Sequence, residues 1–334
     1  MNDYRFIFHY LSAFLGFIVA IVLFLYIQTS LAGLTITLFE DFSTKGACSC
    51  DSCIMDKMED DKWFFVRYNR NIQLMLNKKN SVLRQDVLKW WKGLQYVSSR
   101  SIQKQDALSN YKAVVEKLFS LFPDKEHYSD AGPDRCRTCA VVGNSGSLKG
   151  SYSGPLIDFH DFVIRINKAP TKGYEKDVGS KTTHRFIYPE SAVDIDSSTH
   201  LVFCPFKILD INWLISAFTT KHIKYTYMKV RPTIKANKNK VMILHPAFIK
   251  YVYDSWLQKH GRYPSTGFLT LIFALHICDK VSVFGFGPTS DGYWHHYFDR
   301  SLTNFRRGSH GGDFENKTVH NLHLKNKIIM YKGW

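Results

Sequence analysis

Acidic residues are in deficit: 29 Asp and Glu stand against 44 Lys and Arg, a formal charge of +15 over 334 residues. That imbalance turns the chain toward an anionic partner, whether nucleic acid, a membrane surface, or a phosphorylated or acidic substrate. Other absences narrow the choice. No RNA-binding motif, zinc finger or helix-turn-helix pattern occurs, so nucleic acid rests on charge alone and is not expected as a partner. No GKS/T P-loop occurs, and "GNSGS" (Gly143 to Ser147) lacks the G-x-G-x-x-G spacing of dinucleotide sites. No H-E-x-x-H pairing of zinc ligands appears. Repeats and low-complexity tracts are missing too. With 45% hydrophobic and 15% aromatic residues, the chain can bury one good core and has material for two small ones.

Charge is also missing from "YLSAFLGFIVAIVLFLYI", Tyr10 to Ile27, and Phe6, Ile7 and Phe8 extend its apolar character. The run suits a helix crossing roughly 30 Å of hydrocarbon at about 1.5 Å per residue. "SLA" (Ser30 to Ala32) resembles a signal-peptide cleavage site, but the run exceeds the roughly 7–15 residues of a signal core. The expectation is therefore an uncleaved anchor over 10–27, behind a cytoplasmic tail of residues 1–9. A stem over 28–47 and a lumenal domain over 48–334 follow. Arg5 and the terminal amine on one side, with Glu40 and Asp41 on the other, favour that orientation.

Five of the seven cysteines sit in "CSCDSC" (Cys48, Cys50, Cys53) and "CRTC" (Cys136, Cys139). In a reducing compartment those spacings read as zinc ligands. Behind an anchor, disulfides are the better reading. "NKT" at Asn316 is a glycosylation sequon.

Helical spacing of apolar residues marks "WFFVRYNRNIQLML", "SVLRQDVLKWWKGLQYV" and "YKAVVEKLFSLF". From Cys139 the texture changes. "CAVVG", "DFVIRIN", "THRFIYP", "HLVFCPF" and "KVSVFGFG" read as buried strands. "PAFIKYVYDSWLQKHG", closed by Gly261, and "PSTGFLTLIFALHIC" read as helices. Strands alternating with helices predict an α/β fold with a largely parallel sheet. Such sheets bind ligands where strand ends turn into helices. Two turns qualify: "GNSGS", and "PSTG", whose Ser265, Thr266 and Gly267 open a helix and suit an anion. If "AVVG" and "KVSVFGFG" lie side by side and parallel, Cys139 and Cys278 meet at the amino edge. "WHHYFDRSLTNFRRGSHGGDFE", Trp294 to Glu315, fits neither a core helix nor a core strand. Its His295, His296 and His310 are open to three readings: metal ligands, solvated loop residues, or acid–base groups.

Four stretches in order resemble the motifs of the animal sialyltransferases. "CRTCAVVGNSGSLKGSYSGPLIDFHDFVIRINKAPTKGYEKDVGSKTTHRFIYPES" resembles their long motif. "HPAFIKYVYDSWLQKHGRYPSTGFLTLIFALHICDKVSVFGFG" resembles their short one. "HHYFD" (His295 to Asp299) matches the third, and "HGGDFE" (His310 to Glu315) the very short His-x4-Glu motif. "CSCDSC" and "WWKGLQ" are similar to the β-galactoside α-2,3 group acting on Galβ1,3GalNAc. The resemblance implies a GT-A-like, Rossmann-like variant fold and a single-pass type II protein of the Golgi membrane. It implies inverting transfer of sialic acid from CMP-sialic acid to the 3-hydroxyl of galactose on O-glycans or glycolipids. It implies no cofactor and no metal, and it admits a homodimer. The sole Asp-x-Asp, "DID" (Asp194 to Asp196), lies outside the motifs.

By the same resemblance, Asn144, Ser145 and Asn167 contact the CMP portion of the donor. Ser265, Thr266 and Gly267 hold cytidine and ribose, replacing the phosphate reading of that turn. Tyr188 and Tyr227 contact donor phosphate or sugar. His296 hydrogen-bonds the departing phosphate, His310 is the general base, and Gln95 and Tyr263 face the acceptor. The implied bridges are Cys48–Cys53, Cys50–Cys136 and Cys139–Cys278, leaving Cys204 free. Ser147 departs from the Asn that relatives in the subgroup carry. Two other classes compete: a membrane-anchored glycan-binding protein without turnover, and a basic lumenal scaffold. Intact third and His-x4-Glu motifs argue against both.

Overall fold

Strands buried on both faces read as unbroken apolar runs, because helices cover a parallel sheet on each side. The runs quoted above behave in that way. The computed structural model describes residues 16–30, 47–95, 109–125, 127–300 and 310–333. It divides into two units, residues 1–47 and 48–334. In the first unit residues 16–30 are helical, with Phe17, Leu25 and Tyr26 among the exposed side chains. Residues 10–15 of the expected anchor, the tail 1–9 and most of the stem lie outside the described residues. Among the described residues, no helix is long and apolar enough to cross a membrane.

The second unit is built on seven strands: β1 (Thr138–Val142), β2 (Phe162–Ile166), β3 (His184–Ile187), β4 (His200–Phe203), β5 (Val241–Ile243), β6 (Lys280–Phe284) and β7 (Ile329–Tyr331). Their order is β5-β4-β3-β2-β1-β6-β7, and every pairing is parallel. The chain runs outward from β1 to β5, then returns to lay β6 against the other side of β1, with Ala140 beside Ser282. The direction of winding therefore reverses between β1 and β6, the place where open α/β sheets form a ligand crevice.

The second unit carries nine described α-helices: α1 (Lys62–Phe65), α2 (Gln85–Gln95), α3 (Ser109–Leu121), α4 (Gly154–Phe159), α5 (Glu175–Val178), α6 (Ile208–Phe218), α7 (Pro246–Tyr251), α8 (Thr266–Ile277) and α9 (Gly312–Leu324). Helix α8 is apolar all round, as a helix buried in a core must be. It packs with Val141, Ile164, Phe186 and Val283 on one face of the sheet. The alternate residues Ala140, Val142 and Val163 meet Leu148, Ile157 and Tyr297 on the other face. Helices α3 and α6 bury a third cluster around Trp91, Trp213 and Phe203.

Some expectations need correction. "WFFVRYNRNIQLML" forms a single helical turn, α1; beyond it the Asn69 side chain accepts from Asn71 N at 2.9 Å, a local bond that competes with a helix. The helix starting at Pro246 passes into a π-helical turn over Val252–Trp256 and ends before Gly261. Strands β5 and β7 and helices α4, α5, α6 and α9 lie beyond the segments that the sequence pattern marks. The bridges are Cys48–Cys53, Cys50–Cys136 and Cys139–Cys278, the pairing the resemblance implies, and Cys204 is buried and free.

Candidate active site

The crevice at the β1/β6 reversal depends on two glycines. A Cβ on Gly143 would run into the Gly285 carbonyl, and Gly285 itself holds φ +65°, a left-handed value that favours glycine. Gly143 N donates to Phe284 O at 2.8 Å, and Ser145 N to Gly285 O at 3.1 Å. Beyond these turns opens a cavity of about 250 Å³. Asn144, Ser145, Asn167, Ser265, Gly267, His296 and Asn316 all line it. Thr266 does not; it is buried in the first turn of α8.

Two side chains on this wall are incomplete. Asn144 Nδ2 donates to Ile166 O at 3.1 Å, but its buried Oδ1 has no partner. Asn167 Oδ1 is likewise buried and unpartnered. Asn167 adopts φ +58°, and the Arg185 guanidinium fixes that turn by donating to Asn167 O at 2.8 Å. An orphaned buried acceptor costs on the order of 1–3 kcal/mol, so these two oxygens call for a ligand carrying hydrogen-bond donors. Helices α8 and α9 both begin at the cavity, through Gly267 and Gly312. Their positive dipole ends suit an anion.

The His-x4-Glu motif crosses the molecule to the "PSTG" turn. Glu315 accepts from Ser265 N at 2.8 Å and Ser265 Oγ at 2.6 Å, while Ser265 Oγ caps α8 by accepting from Phe268 N at 3.1 Å. Burial pushes the Glu315 carboxyl above its usual range, against the two Ser265 bonds and the nearby His310. His310 Nδ1 lies 3.1 Å from the carbonyl oxygen of Tyr263. A carbonyl only accepts, so Nδ1 carries the hydrogen, and in the neutral tautomer Nε2 is the nitrogen with the lone pair. The Tyr263 ring stands perpendicular to the imidazole, with centres 4.9 Å apart. Tyr263 in turn packs on Phe206 at 5.2 Å, and Phe206 on Tyr188 at 5.8 Å.

His296 is held by backbone. It bridges Ser145 in antiparallel fashion, and Tyr297 N donates to Asn144 O at 3.0 Å. Its ring stacks on Phe298 at 5.0 Å. Burial lowers its pKa despite the nearby Asp299 carboxylate. His295 lines the cavity too and fills the space that Gly146 leaves beside β1. Among the described residues, no group of three His, Cys, Asp or Glu is arranged to hold a metal ion.

The sequence-predicted residues divide accordingly. Asn144, Ser145, Asn167, Ser265, Gly267 and His296 share one cavity. Tyr188, Tyr263 and His310 form an aromatic chain joined to it through Glu315. Tyr227 is partly exposed, with the Lys207 ammonium 5.1 Å from its ring centre. Gln95 ends α2, and its side chain lies outside what is described. The sequon residue Asn316 lines the cavity and Thr318 is buried, its hydroxyl donating to Phe314 O at 2.8 Å. A glycan on Asn316 would fill the crevice. Trp294 and Phe286 also line the cavity, and no spacing rule marks a lone aromatic in a loop.

Residues 75–327 match glycosyltransferase family 29 (sialyltransferase). The chain is 48% identical over 290 residues to the CMP-N-acetylneuraminate-beta-galactosamide-alpha-2,3-sialyltransferase 1 of Sus scrofa, covering 86% of this chain and 82% of that protein. It is 45% identical to the enzyme numbered 2 of Mus musculus, covering 86% and 80%. The fold superposes on a crystal structure of a mammalian sialyltransferase in complex with Gal-beta-1-3GalNAc-ortho-nitrophenol. The TM-score is 0.77 at 47% identity, covering 86% of this chain and all of that one. A parallel sheet reversing at its Gly143–Gly285 crevice, the His310–Glu315 pair and these likenesses lead to one assignment: the chain belongs to glycosyltransferase family 29, the sialyltransferases.

Proposed function

We propose that the protein transfers sialic acid from CMP-sialic acid to the 3-hydroxyl of a terminal galactose, with Galβ1,3GalNAc on O-glycans or glycolipids as acceptor. The observation that carries this reading is the convergence of unpartnered acceptors, two helix N-termini and His296 on one cavity, with His310 tied to it through Glu315. Asn144, Ser145, Asn167 and the Ser265–Gly267 turn receive CMP, with Tyr188 and Tyr227 on donor phosphate or sugar. Gln95 and Tyr263 face the acceptor.

His310 Nε2 removes the proton from the galactose 3-hydroxyl. The oxygen attacks the anomeric carbon, the bond to the phosphate breaks, and CMP leaves with the electron pair. A direct displacement inverts that carbon. Neighbouring Glu315 stabilises the imidazolium that forms. His296 donates a hydrogen bond to the departing phosphate, and the helix ends offset its charge without a metal. We further place the catalytic domain in the Golgi lumen behind a single-pass anchor over 10–27; the exposed apolar faces of residues 16–27 support it.

The test is to incubate the purified chain with CMP-sialic acid and a panel of galactosides, with and without excess EDTA. Product of α-2,3 linkage on Galβ1,3GalNAc, unchanged by EDTA, is expected. CMP binding without transfer to any galactoside would instead support a glycan-binding protein that lacks turnover.

A further inference from the structure

The tyrosines of the site rest on a buried charge cluster, two of whose members, Lys207 and Asp210, fall outside every quoted motif. Lys207 Nζ lies 2.6 Å from Asp210 Oδ1 and 3.5 Å from Glu190 Oε1. The side chains are 11%, 0% and 3% exposed, for Lys207, Asp210 and Glu190. The Thr226 hydroxyl donates to Glu190 Oε1, while Oε2 is buried without a partner. Two structural lines leave the cluster. Along one, the Lys207 ammonium lies 5.1 Å from the ring centre of Tyr227, next to Thr226. Along the other, Asp210 Oδ2 accepts from Phe206 N at 2.9 Å and Lys207 N at 3.1 Å, fixing the turn into α6. Phe206 then packs between Tyr188 and Tyr263, and Tyr263 meets His310.

We propose that Lys207, Glu190 and Asp210 are positioning residues for the transfer reaction, acting through Tyr227 and through Phe206 on Tyr188, Tyr263 and His310 without touching substrate. A buried ion cluster is a poor source of stability, since apolar residues of equal volume commonly do as well. What it supplies is direction: one ammonium can face both carboxylates in few geometries. Burial opposes the Asp210 charge and lifts its carboxyl to about 7, with Lys207 acting against that shift. Burial first, and Glu190 next, hold the Tyr188 hydroxyl up at about 12 and raise that of Tyr227 as well. Both hydroxyls are hydrogen-bond donors near neutral pH, as any tyrosine at its ordinary value of about 10 is, so what the cluster supplies is their placement. Burial opposes the Lys207 charge, but Asp210 and Glu190 outweigh it and keep the ammonium above its usual range.

The inference rests on the donor-contact reading of Tyr188 and Tyr227, and the experiment separates the two. Lys207→Met alone strands two buried carboxylates and is at risk of not folding. The triple variant Lys207→Met, Glu190→Gln, Asp210→Asn removes all three charges together and leaves none unpaired. In the full chain we would measure CMP affinity by calorimetry, transfer kinetics with CMP-sialic acid, and melting temperature. For the triple variant, a CMP Kd and donor KM raised about tenfold, with kcat lowered about tenfold, are expected beside a melting temperature within a few degrees of the parent. Asp279→Asn, at the opposite edge of the sheet, serves as control: its melting temperature falls while KM stays put. Parental KM and kcat in the triple variant would overturn the proposal, whatever its melting temperature. A parent chain that binds no CMP would sink the donor-contact reading, and this inference with it.

Discussion

At the amino edge of the sheet, polar groups are almost all paired. Arg135 grips Asp279 through two bonds of 2.8 Å, and Asp279 also accepts from Arg137 N at 2.7 Å. Asp161 takes the backbone and hydroxyl of Thr138, both at 2.8 Å, and Cys139 is bridged to Cys278. At the carboxyl edge of the same strands, Asn144 and Asn167 keep buried oxygens without partners, and Asn167 holds a left-handed backbone. Folding finishes one edge and leaves the other for a ligand to finish. The orphaned groups are tolerable because the locked edge fixes the strands that carry them. Changes at the amino edge should therefore register as stability, and changes at the carboxyl edge as binding or rate.

The largest effect expected tests the second half of that contrast. His310→Ala should lower kcat by about 10²–10⁴-fold, the usual worth of a positioned base. CMP affinity and melting temperature should hardly move, because the proton is transferred only in the transition state. A parental kcat would remove His310 from the role of base.

Next in size is the amino-edge bridge. Replacing Cys139 and Cys278 together by Ser opens a loop of 139 positions, worth on the order of 4–5 kcal/mol in the chain-entropy model. Thermal unfolding should shift down by many degrees, while the fraction still folded binds CMP normally. Weaker CMP binding by that folded fraction would show that the two edges are coupled.

How far the sequence reveals this division depends on range. The strands β1, β2, β3, β4 and β6 are legible because a doubly covered parallel strand must be apolar throughout. The turns at Gly143 and Ser265 are legible because strand-to-helix junctions need small and capping residues. β5 and β7 are not, being three residues each and too short for a period to form. The contact between Glu315 and Ser265 spans fifty positions and obeys no local rule. Thr266 looks like its neighbours in sequence, yet the helical rotation at the start of α8 turns it into the core. Asn316 reads as a sequon because three letters suffice for that pattern, and only the fold sets it in the crevice wall.

Smaller effects are expected from Asn144→Ala. It removes one bond to Ile166 O and one orphaned oxygen. These oppose each other in stability, so the melting temperature should move little. CMP affinity should fall by roughly 5–150-fold, the equivalent of about 1–3 kcal/mol. A large loss of stability with unchanged CMP affinity would place Asn144 with the locked edge instead.

The smallest effect distinguishes the edges by pH. His184 begins β3 at the amino edge, its Nε2 2.8 Å from the Tyr128 hydroxyl and its Nδ1 2.8 Å from the Thr183 hydroxyl. Burial, then the charges of His200 and Arg137, depress its pKa to about 3; burial also takes His127 down to about 4. Both rings stay neutral in the fold. In the unfolded chain they take up protons near the ordinary value of about 6.5. Between those limits the unfolded state binds more protons, so stability must fall as pH falls. Each such ring contributes a slope of about 1.4 kcal/mol per pH unit. The contribution is complete above about pH 6.5 and erodes toward pH 3–4. His184→Gln cannot titrate, so its melting temperature should decline less steeply from pH 6.5 to 4.5 than that of the parent. Its kcat profile over the same range should keep the parental shape, because the base proposed for the transfer, His310, lies at the other edge. An unchanged stability slope in His184→Gln would mean that the His184 ring is charged in the fold. A changed kcat profile would mean that protonation at the amino edge reaches the active site.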